Sequence, residues 1–239
     1  MAFDSAGNLY VANSYGNTIG KFTPDGVGSV FASTVWPIAL AFDKANNLYV
    51  ASYFTGEIEK FLPSGVDLGV FASTGSRIRD LTIDSADNLY CISADKYIPV
   101  RATISKITPG GTISVFANTV TYPNESLAID SEDNLYVATW GGNSHLVERF
   151  SSTGTDLGAF TTTGLDDPTA MAFDSAGNLY AANFGNNTIE KFSPSGVDLG
   201  VFASDEASLM GIAVRVPEPA TMGLLALSGL AALVHRRRE

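Results

Sequence analysis

Ala2-Phe3-Asp4-Ser5-Ala6-Gly7-Asn8-Leu9-Tyr10-Val11-Ala12 returns as Ala41-Phe42-Asp43-Lys44-Ala45-Asn46-Asn47-Leu48-Tyr49-Val50-Ala51. It returns again over residues 84–90, 130–138 and 174–182. The repeated aspartates Asp4, Asp43, Asp84, Asp130 and Asp174 lie 39, 41, 46 and 44 residues apart. That period fits a four-stranded propeller blade and is too long for a leucine-rich repeat.

Each repeat reads as four short strands. In the second repeat these are an apolar run over 38–42, Leu-Tyr-Val-Ala over 48–51, Ile-Glu-Lys-Phe over 58–61 and Leu-Gly-Val-Phe over 68–71. Asp-x-x-x-Asn separates the first two strands, and Pro-Ser-Gly or Pro-Asp-Gly precedes the fourth. Asn, Asp and Gly tolerate positive φ and Pro presets φ, so these are turns with a mechanism. The first two strands are apolar at successive positions, the pattern of a sheet covered on both faces. Before residue 217 no helical periodicity competes.

These residues resemble the NHL-repeat type of β-propeller, a group that includes streptogramin-lyase-like and gluconolactonase-like proteins. The pattern that carries the resemblance is Ala-Phe-Asp-Ser-Ala-Gly-Asn-Leu-Tyr-Val-Ala-Asn followed by Asn-Thr-Ile-x-Lys-Phe-x-Pro-x-Gly. It implies an all-β propeller over 1–214. Five repeats are complete, and a further first strand, 210–214, has no second strand predicted after it. Two closures fit: a five-bladed ring finished by that strand, or an incomplete six-bladed ring. Residues 1–10 are identical to residues 171–180, so Met1 sits at an ordinary mid-repeat position, and no basic segment followed by an apolar stretch opens the chain. Both features lead to the expectation that the protein begins upstream.

Residues 215–239 form a separate tail. Val216-Pro217-Glu218-Pro219 is followed by an uncharged apolar segment, 220–234, and a basic end, Arg236-Arg237-Arg238. The segment is apolar all round, unlike a surface helix. It is expected to form a short transmembrane helix whose basic flank stays in the cytoplasm. This order of parts resembles the PEP-CTERM sorting tail of Gram-negative bacteria. The resemblance implies export, transient residence in the inner membrane, and processing at residues 216–219 by an exosortase. Release to the cell surface or extracellular matrix would follow.

Composition narrows the function. The chain has 239 residues and a formal charge of −11, with 45% apolar and 16% charged residues. Such a chain is not disordered, and its acidity argues against a nucleic-acid partner. The single cysteine, Cys91, replaces a core valine of other repeats, which excludes a disulfide framework. Of the two histidines, only His145 lies in the repeats.

Function on a propeller belongs to the variable loops, here those after the second and fourth strands. They place aromatics at similar positions: Tyr15, Trp36, Tyr53, Tyr97, Tyr122, Trp140 and Phe184. These are the candidate ligand-binding rim, suited to sugars or peptides; covering the blade tops is the other role open to them. The same loops hold Glu125, Asp166 and Asp167, carboxylates of the kind that bind Ca²⁺. The turns 84–88 and 130–134 lack a calcium loop's further ligands and read as turns. No paired histidines, Ser-His-Asp set or phosphate loop is legible. The expectation is therefore a non-enzyme: a surface-sorted binding or scaffolding propeller with a carbohydrate or surface-protein ligand and no cofactor. The alternative is a metal-dependent hydrolase or lyase using Glu125, Asp167 and His145.

Overall fold

A computed structural model describes residues 1–94, 102–118, 124–139, 145–205, 209–215 and 223–228. The protein is an all-β propeller of five four-stranded antiparallel blades, each strand pairing with its sequence neighbours. The chain falls into two compact units, Met1–Pro123 and Asn124–Glu239.

The first unit holds three blades. They are β1 (Ala2–Phe3), β2 (Leu9–Asn13), β3 (Thr18–Phe22) and β4 (Gly28–Ser33); β5 (Pro37–Phe42), β6 (Leu48–Ser52), β7 (Glu57–Phe61) and β8 (Asp67–Ser73); and β9 (Arg77–Ile83), β10 (Leu89–Ala94), β11 (Ala102–Ile107) and β12 (Ile113–Asn118). The second unit holds two. They are β13 (Asn124–Ile129), β14 (Leu135–Thr139), β15 (Leu146–Phe150) and β16 (Asp156–Thr161); and β17 (Pro168–Phe173), β18 (Leu179–Asn183), β19 (Thr188–Phe192) and β20 (Asp198–Ser204). A two-stranded sheet, β21 (Leu209–Arg215) with β22 (Gly223–Ser228), follows.

Inner strands are covered on both faces, as their unbroken apolar runs require. β6, β14 and β18 are buried at all five positions. The outer strand β8 is mostly exposed. Small residues bring neighbouring blades close: Ala39, Ala41 and Ala51 pack against Ile78, Leu81 and Cys91 in the first unit. Ala128 and Ala138 meet Met171 and Ala181 in the second.

The repeated Asp-x-x-x-Asn-x-Tyr is a clasp. Asp84 Oδ1 accepts the N–H groups of Ala86 and Asn88, while Oδ2 accepts Asn88 Nδ2 at 2.8 Å and the Tyr90 hydroxyl at 3.1 Å. The same set recurs at Asp43, Asp130 and Asp174. The fourth turn residue has positive φ, from 60° to 80°, at Gly7, Asn46, Asp87, Asp133 and Gly177. This is the three-residue hairpin loop that needs a left-handed residue, which explains Gly, Asn or Asp there. The buried tyrosine packs edge-to-face on a fourth-strand phenylalanine, 4.9–5.0 Å away, in every blade. A third-strand lysine covers four of the five tyrosines. With their carboxylates filled by turn donors, 84–88 and 130–134 are turns, as expected.

At the C-terminus the structure corrects the reading of 210–214 as a strand without a successor. β21 pairs with β22, Ile212 opposite Ala226 and Val214 opposite Leu224. A free strand edge leaves backbone N–H and C=O groups without partners, and an apolar segment following nearby satisfies them. Of the apolar segment 220–234, only 223–228 is described, and there it is strand rather than helix. Residues 216–219 and Arg236–Arg238 lie outside the described residues. Among the described residues no helix is long and apolar enough to cross a membrane.

Candidate functional site

Each blade carries its second-to-third loop, and the connection to the next blade, at one end. In the second unit this end gathers His145, just before β15, and Asp166 and Asp167, just before β17. One ligand atom from each lies within 4.8 Å of the others. The local backbone builds this group. The Asp167 N–H donates to His145 Nδ1 at 3.2 Å, and the Asp167 carbonyl accepts the Phe184 N–H at 3.0 Å. Those bonds hold Asp167 at φ 50°, a left-handed conformation directly before Pro168, where an L-residue is strained. Its carboxylate then lies 3.5 Å from Nδ1. The Nδ1 lone pair is thus engaged by the Asp167 N–H.

Asp166 is fixed separately. Its N–H donates to Asn183 Oδ1 at 3.1 Å and its carbonyl accepts the Gly185 N–H at 3.0 Å. Asn183 is fully buried and also donates to the Gly164 carbonyl at 2.9 Å. A Cβ at residue 185 would come within 2.4 Å of Asp166 Oδ1, so Gly185 leaves room for that carboxylate.

One imidazole and two carboxylates suit Zn²⁺ or Mn²⁺. Ca²⁺ prefers six to eight oxygens, which makes these residues a poorer fit for it. Asp166 entered the sequence reading only as one loop carboxylate among several. The visible signal was Asp166-Asp167-Pro168 before a first strand, at the place where the second repeat has Trp36-Pro37.

In the first unit the structure brings together three residues of the expected rim. Tyr15 meets Trp36 edge-to-face at 5.3 Å, Trp36 meets Phe54 at 4.8 Å, and Phe54 meets Tyr53 at 4.9 Å. Arg77 lies 5.5 Å from both the Tyr53 and Phe54 rings. Phe184 belongs to the second unit and is half-exposed. Tyr97, Tyr122, Trp140 and the Glu125 side chain lie outside the described residues.

The C-terminal end matches the description PEP-CTERM protein-sorting motif over residues 215–238. The chain carries a PEP-CTERM sorting motif. The motif indicates export and membrane-associated sorting in Gram-negative bacteria, with processing by an exosortase at the membrane. A search of curated proteins finds no match. Solved structures share the fold. A gluconolactonase of Xanthomonas campestris superposes with a TM-score of 0.74 at 16% identity, covering 89% of this chain and 77% of that one. A streptogramin B lyase gives 0.65 at 16% identity, covering 87% and 70%. A calcium-binding regucalcin from Agrobacterium tumefaciens gives 0.71 at 15% identity, covering 96% and 82%.

These likenesses correct the expectation of a non-enzyme. The fold of this propeller is one on which a gluconolactonase and a lyase are built. The expectation rested on the scarcity of histidine. That count carries less weight than it did, because the one histidine of the repeats stands beside two carboxylates.

Proposed function

We propose that this exported propeller is a metal-dependent hydrolase or lyase whose centre is His145, Asp166 and Asp167. The observation that carries the reading is the convergence of those three donors within 4.8 Å at the loop end of the second unit. The enzymes among proteins of this fold lend it support. A divalent ion bound there supplies Lewis acidity to a substrate carbonyl or leaving oxygen. The chain's own residues do the positioning. Asn183 fixes Asp166, and the His145 Nδ1 that accepts the Asp167 N–H would give up that bond to ligate an ion. After processing at 216–219 the mature protein would act at the cell surface or in the extracellular matrix.

The test is thermal unfolding of the full chain in chelator and after adding Zn²⁺, Mn²⁺, Ca²⁺ or Mg²⁺, with lactone hydrolysis followed in parallel. A ligand bound only by the native state raises the melting temperature. Zn²⁺ or Mn²⁺ should do so, and Asp167→Asn should abolish the rise. No shift with any of the four ions would end this reading.

A further inference from the structure

We infer that the aromatic row of the first unit, Tyr15, Trp36, Phe54 and Tyr53 with Arg77 at its end, binds a polysaccharide segment that carries carboxylated sugars. Three observations lead there. First, the row is contiguous and open to solvent at Tyr15 and Phe54, with Trp36 and Tyr53 half-buried: its rings follow one another at 4.8–5.3 Å, Tyr15 is 91% exposed and Phe54 48%. Rings in such a series offer alternating faces and edges to the apolar faces of successive pyranoses, while hydroxyls stay in water.

Second, Trp36 is held in place at a cost. It has φ 45°, a true outlier for a bulky residue. The Asn17 side chain accepts its N–H at 2.9 Å, and its carbonyl accepts the Tyr53 N–H at 3.1 Å. Asp167 takes the same left-handed turn in the second unit, so this turn fixes where the half-exposed indole sits in the row.

Third, the end of the row is cationic on an acidic protein. The Arg77 guanidinium lies beside the Tyr53 and Phe54 rings, and among the described residues it pairs with no carboxylate. A planar guanidinium so placed matches a carboxylate in bidentate fashion. The chain's net charge of −11 would otherwise repel an acidic polymer. The uronate carboxylate and the stacked pyranose are thus recognised by different members of one row.

The experiment titrates the full chain with oligogalacturonate and, separately, with cellohexaose, by calorimetry in the presence of chelator. The chelator removes any contribution of a cation site, so failure here leaves the proposed metal centre untouched, and the reverse holds. Oligogalacturonate should bind more tightly than cellohexaose. Tyr15→Ala, at a position too exposed to affect folding, should weaken both about tenfold, the scale of one aromatic contact. Arg77→Gln should abolish the preference for the acidic chain and leave cellohexaose unchanged. Absence of binding by either sugar, or Tyr15→Ala binding as well as the parent, would overturn the inference. So would equal affinity of the parent for the two sugars.

Discussion

Asp167 donates its backbone N–H to His145 Nδ1 at 3.2 Å. In the first unit Trp36 makes the equivalent bond to Asn17 Oδ1 at 2.9 Å. Histidine and asparagine thus fill one structural position, the residue before a third strand, and both support the turn that enters the next blade. His145→Asn is therefore expected to keep the turn and the fold while removing the imidazole. Thermal unfolding should show a melting temperature close to the parent's in chelator and no response to Zn²⁺. His145→Ala removes the acceptor altogether and should cost about 1 kcal/mol in urea unfolding.

Gly185→Ala tests the room left for Asp166. The new methyl would collide with the Asp166 carboxylate, whose Oδ1 is 2.4 Å from the ideal Cβ position. That carboxylate must turn away. The variant should remain folded, losing about 1 kcal/mol or less, yet its Zn²⁺ response should fall about tenfold or more. An unchanged titration would show that Asp166 takes no part.

The clasp of each blade should dominate stability. Tyr90→Phe removes one hydrogen bond to Asp84 and should cost about 1 kcal/mol. Asp84→Ala leaves two backbone N–H groups, an amide and a hydroxyl without their acceptor, and should cost about 3 kcal/mol or more. Burial works to raise the Asp84 and Asp174 carboxyls, but the hydrogen bonds from their turns outweigh it and hold both below 3.8. Their contribution is present above 3.8 and lost as pH falls through the folded values. Urea midpoints at pH 7 and pH 3 measure it.

Glu190 titrates in the opposite sense. Burial, with a hydrogen bond to Asp198, pushes its carboxyl from 4.5 up to about 7. The native state keeps that proton where the unfolded chain has lost it, so stability falls as pH rises from 4.5 to about 7. Glu148, raised by burial and by Asp156, acts in the same direction. Glu190→Gln mimics the protonated form. It should be on the order of 2 kcal/mol more stable than the parent at pH 8 and indistinguishable from it at pH 4, by urea unfolding.

Cys91 is fully buried, and burial pushes its thiol up to about 12. The thiolate is the reactive form. The native protein should therefore resist thiol reagents at pH 8 and be labelled only on unfolding, which gives a direct measure of how often the first unit opens.

Much of the fold was legible because the same local grammar is written five times. Asp-x-x-x-Asn fixes a hairpin loop, a positive-φ residue closes it, and successive apolar positions announce a doubly covered strand. The tail was legible as well, since its sorting motif is a linear feature. The rim was legible only as a set of aromatics: Tyr15, Trp36 and Tyr53 come together in one row, and Phe54 and Arg77 join them. The cluster of His145, Asp166 and Asp167 was half visible. His145 and Asp167 were named, but 22 residues separate them, and no local pattern links a loop after one strand to the entry of the next blade.

The sequence by itself determined the blade, because hairpin turns, strand length and two-sided burial depend on residues within one repeat. Only the tertiary structure decided which side chains the repeats bring together. Packing one blade on the next sets Asn17 against Trp36 in one place and His145 against Asp167 in another. The same backbone bond thus stands beside an aromatic row in the first unit and beside a cluster of one imidazole and two carboxylates in the second. Contacts between side chains far apart in the chain are set by blade packing, and a repeated motif cannot encode them.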